Sequence, residues 1–159
     1  MIDLLDVKKN DRFLLLSIPE PSFVVTLAAK LTEGIVVGLG PDEDVRAARK
    51  EVIDVGNVMF IPAEPYDIPW QGGFFTKAVD LACRWDRPDR TAREIARVLS
   101  SRGTVYLAEP SATRDHLLNA GFREVSSVKG LLTHVCAFFE VLLRNSLKTR
   151  GRVCIFEEV

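Results

Sequence analysis

The sequence predicts an α/β protein with a three-layer open sheet, mostly parallel and doubly wound, finished by an antiparallel C-terminal hairpin. Three observations predict it. Short continuous apolar runs, such as residues 12–16 (RFLLL) and 35–38 (IVVG), suit strands buried on both faces. Segments with helical spacing alternate with those runs, the pattern of right-handed crossovers between parallel strands. No linker, low-complexity run or internal repeat divides the 159 residues, a length that fills one domain.

Each element has a local reason. Residues 12–16 form the first strand, and the prolines of Ser17-Ile18-Pro19-Glu20-Pro21-Ser22 make a stiff turn. Residues 23–31 read as a helix capped by Ser22 and ended by Gly34, and residues 35–38 as the second strand. Asp42, Glu43 and Asp44 open a helix whose dipole favours them. Its apolar stripe of Ala47, Ala48, Val52 and Val55 runs to a stop at Gly56. Residues 58–61 are the third strand, and the prolines that follow make 62–69 a loop. Residues 75–81 are the fourth strand, although Lys77 and Asp80 fit a buried strand poorly. Residues 89–99 are an amphipathic helix, with Ala92, Ile95, Ala96 and Leu99 inward and Arg90, Arg93, Glu94 and Arg97 outward. Arg102-Gly103 turns into a fifth strand at 104–108, and residues 113–120 form a helix closed by Gly121. Beyond it, residues 124–128 and 132–139 read as an antiparallel hairpin, with 153–156 as an added edge strand or a partner contact. The alternative is a helix over 131–147 and a last strand at 152–156.

Composition narrows the function. A net charge of −1 gives no global attraction to nucleic acid or an anionic membrane. Cys83, Cys136 and Cys154 are odd in number and far apart, which suits reduced thiols rather than a disulfide framework. The N-terminus lacks an apolar signal-peptide core, and residues 131–143, interrupted by His134 and Glu140, are too short to span a bilayer. A cytoplasmic address is the expectation. His134 and Cys136 alternate on one strand face, but a zinc site needs three or four ligands and His116 lies on another element, so they read as core. Cys83 has no nearby histidine to activate it. Arg84, Arg87, Arg90, Arg93 and Arg97 are interleaved with Asp86, Asp89 and Glu94, which reads as a solvated helix face rather than a nucleic-acid site.

The segment order, with NVMFIPAEPYDIPW at 57–70, AREIARVLSSRGTVYLAEP at 92–110 and NAGF at 119–122, resembles the class I S-adenosylmethionine-dependent methyltransferases. The likeness covers about residues 4–140 of a single domain, leaving 141–159 as a C-terminal extension. It implies S-adenosylmethionine as cofactor, with contacts at Ser17, Ile18 and Glu20, at Gly40 and Asp42, and at Ala63 and Glu64. The family's first loop pairs an acid with several glycines. Here Leu15 takes the acidic position and Ser17, Pro19 and Pro21 take the glycine positions. Gly40 stands where a ribose-binding carboxylate ends the second strand, while Glu64 occupies the acidic position facing the adenine amine. No methyl-acceptor motif follows the fourth strand, where Asp80, Cys83 and Trp85 lie, and no catalytic residue or metal ligand is assigned.

The expectation is therefore a methyltransferase-like protein with an eroded cofactor loop. It would act as a non-catalytic binding or assembly module, with the apolar C-terminal segment as a homodimer contact. The alternative is a divergent but active methyltransferase on a small molecule, with Glu20, Asp42 and Glu64 as substitute anchors. A different nucleotide on the same sheet is the third reading, and the glycine-poor loop opposes it as well.

Overall fold

The structure is a computed structural model and describes residues 2–108, 113–129 and 152–158. Its strands are β1 (Arg12–Leu15), β2 (Ile35–Gly40), β3 (Val58–Pro62), β4 (Phe75–Asp80), β5 (Leu99–Ala108), β6 (Phe122–Lys129) and β7 (Arg152–Glu158). Between them lie α1 (Pro21–Lys30), α2 (Asp42–Glu51), α3 (Pro88–Val98) and α4 (Arg114–Asn119). The seven strands form one sheet in the order β3-β2-β1-β4-β5-β7-β6. β1 to β5 are parallel, and β7 runs antiparallel to both β5 and β6. The chain leaves β1 in one direction through β2 and β3, then returns to β4 on the other side. That reversal places the switch point of a doubly wound sheet between β1 and β4, at whose carboxyl ends such folds bind ligands.

Two cores separate the three layers. Phe13, Leu15, Val36 and Phe60 face α1 and α2, where Val24, Leu27, Val45 and Ala48 meet them. Leu14, Val37, Ala78 and Leu107 face α3 and α4, where Ala92, Ile95, Val98 and Leu117 close the other side. The strict alternation along β1, with Phe13 and Leu15 on one face and Leu14 on the other, explains why the run is apolar throughout.

The local rules need correcting in several places. α1 begins at Pro21 with Glu20 at its N-cap, so Ser22 lies inside the helix and does not cap it; proline is favoured in a first turn because its missing N–H leaves no orphan. α2 ends at Glu51, four residues before Val55, where the β-branched pair Val52-Ile53 follows and Ile53 is exposed. The Arg102-Gly103 turn lies within β5, which starts at Leu99: the register to β4 jumps between Leu99 and Thr104, and Arg102 adopts φ 67°. The antiparallel pair at the C-terminus is β6 with β7. Residues 153–156 are not at the sheet edge but inside it, between β5 and β6, because β7 finds a partner on each side. The expected second hairpin strand at 132–139, its helical alternative at 131–147, His134 and Cys136 lie outside the described residues.

The two charged residues that fitted β4 poorly are both buried with partners. Lys77 donates from Nζ to the Leu5 and Asp6 carbonyls and pairs with Asp11 at 3.1 Å. Asp11 also accepts from Thr76 Oγ1 at 2.9 Å and from the Lys8 amide at 2.8 Å. This cluster ties the N-terminal segment across the amino ends of β1 and β4. Asp80, at the opposite end of β4, belongs to the site.

Candidate functional site

The carboxyl ends of β1, β2 and β4 converge on Ser17, Ile18, Gly40 and Asp80. β1 delivers Ser17, whose hydroxyl donates to Asp80 Oδ1 at 3.0 Å. The same oxygen accepts the amides of Ala82 at 3.0 Å and Cys83 at 3.1 Å, and Oδ2 accepts the Trp85 indole N–H at 2.7 Å. Asp80 is 2% exposed, and four donors converge on its carboxylate. It therefore works as a clasp between the β1 and β4 loops rather than as a general base, for which a lone pair must face the substrate. The clasp bends the chain enough to put Cys83 at φ 49°, with its thiol directed to the Ala108 carbonyl.

Ile18 is the decisive side chain of the first loop. A Cβ placed on Gly40 would stand 3.0 Å from Ile18 Cδ1 and 3.3 Å from its Cγ1. The space into which a side chain at the end of β2 would project is thus occupied by Ile18, and a carboxylate there fits only if Ile18 moves. Pro19 and Pro21 supply no N–H, and the Glu20 carbonyl is taken up by the amides of Phe23 and Val24 as α1 begins. Across the sheet the Ala63 amide donates to the Gly40 carbonyl at 3.2 Å.

The cofactor positions expected from sequence are only partly assembled. Ser17, Ile18, Gly40 and Ala63 are joined by these contacts. Glu20, Asp42 and Glu64 are all exposed. Asp42 pairs with Arg46 one turn along α2, and the Glu64 carbonyl accepts the Asp67 amide within its own turn. The residues present do not fit the usual S-adenosylmethionine cradle at the first loop and at position 40. Among the described residues no group of three or more His, Cys, Asp or Glu comes together as a metal site.

The loop after β3 is held by α3. Arg97 donates to the Trp70 and Ile68 carbonyls, each at 2.7 Å, and to both oxygens of Glu94; Glu94 also accepts the Ile68 amide at 3.0 Å. The Arg97 guanidinium holds the Glu94 carboxyl below its ordinary value. Part of the arginine run that reads as a solvated face is therefore a loop tether, and Arg87 stacks over Tyr66 at 4.6 Å. Sequence reasoning missed the Asp80 clasp; its signal was an aspartate followed at two and three residues by amides able to close an Asx turn.

No family model matches the sequence. The fold and its switch point are nonetheless those of the class I S-adenosylmethionine-dependent methyltransferases. In sequence it is 29% identical over 143 residues to the Bacillus subtilis (strain 168) protein named "Putative methyltransferase YrhH", spanning 81% of this chain and 78% of that protein. In structure it superposes on an S-adenosylmethionine-dependent methyltransferase from Aquifex aeolicus with a TM-score of 0.77, at 13% identity over 99% of this chain and 87% of the other. The [4+2]-cyclase SpnF superposes with a TM-score of 0.76, at 15% identity over 99% and 80%. A protein named for cyclisation and one named for methyl transfer share this scaffold, so the scaffold alone does not fix a reaction. No helix among the described residues is long and apolar enough to cross a membrane.

Proposed function

We propose that the protein is a binding or assembly module on a methyltransferase scaffold that has given up ordinary S-adenosylmethionine binding. The observation that carries this reading is the contact of Ile18 with Gly40. Ile18 lies where a side chain at position 40 would project, and the stiff Pro19-Glu20-Pro21 segment restrains the backbone that carries it. Self-association in the cytoplasm is the form of assembly proposed. Titration calorimetry of the full chain with S-adenosylmethionine should give no binding heat, and sedimentation should give a dimer. A micromolar dissociation constant for the cofactor would overturn the reading.

A second reading, a divergent methyltransferase acting on a small molecule, is favoured by the sequence relative and by the exposure of Glu64 beside Ala63. It requires Glu64→Ala to weaken cofactor binding by about 1.5–3 kcal/mol, the size of a lost charged hydrogen bond. Unchanged affinity in that variant removes it.

A further inference from the structure

We draw no further inference here: the strongest candidate, the surface patch of half-buried Ile35, Ile61 and Phe74 with exposed Met59 beside the Arg12 guanidinium, on the α3 side of β2 and β3, carries nothing because nothing in the structure shows what covers it.

Discussion

Gly38 and Gly40 lie two apart on one face of β2, and a Cβ on each would press on a neighbouring side chain, the Phe60 ring at Gly38 and the tip of Ile18 at Gly40. A Cβ at Gly38 would lie 2.8 Å from the Phe60 ring, which, unlike the tip of Ile18, is buried and cannot swing aside. Gly38→Ala should therefore destabilise the protein by about 1–3 kcal/mol through overpacking, read as a lower urea midpoint at unchanged slope. Adding Phe60→Leu should return part of that loss, a non-additivity expected only of side chains in contact. Strictly additive losses would mean that the ring is not what limits position 38. Gly40 meets only flexible atoms, so Gly40→Ala should cost less.

At the scale of elements, the exposed side of β3 shows how a sheet edge is blunted. The β2–β3 ladder uses the Asn57 carbonyl and the Ala63 amide, which turns the Phe60 carbonyl outward. Arg49 of α2 donates to that carbonyl at 2.7 Å, the outward Val58 amide is taken by the Val55 carbonyl, and Pro62 has no N–H. Unpaired edges recruit other strands, and charge and proline are two ways of preventing it. Arg49→Ala should raise concentration-dependent association in sedimentation velocity while the circular dichroism spectrum is retained; association equal to wild type would deny Arg49 this role. The Glu94–Arg97 tether works at the same scale, binding the loop after β3 to α3 through both backbone and carboxylate.

For the whole molecule, the N-terminal segment is tied down by polar groups buried under it. Tyr106 of β5 donates its hydroxyl to the same Leu5 carbonyl that Lys77 reaches. Burial, reinforced by the nearby carboxylates of Asp6, Asp11 and Glu157, pushes the Tyr106 phenol up to about 12. An acid whose folded value is raised binds its proton more tightly in the folded state. Its contribution is therefore complete below the ordinary phenol value of about 10 and is lost as pH rises from there through about 12. Denaturation midpoints should fall across that alkaline window by the equivalent of about 2–3 kcal/mol, and Tyr106→Phe should flatten the fall. An ultraviolet titration in which every phenol ionises near 10 would contradict it. Lys77→Met should cost about 3–5 kcal/mol, because it leaves the Asp11 carboxylate buried without its cation.

The order and type of the elements from β1 to α4 were legible in the sequence, because apolar runs and helical stripes are local patterns that each segment carries within itself. The stiffness of the first loop was legible too, since proline fixes φ wherever it stands. What the segment after β6 would pair with was not: β7 lies far along the chain, and its place between β5 and β6 is a matter of partners rather than of its own residues. Nor could the sequence separate structural from functional charges. Lys77, Asp80 and Arg97 looked out of place or exposed until the fold brought the Leu5 carbonyl, the Ser17 hydroxyl and the Ile68 carbonyl to them. A residue type states what a side chain can bond; only the folded chain decides whether a partner is within reach.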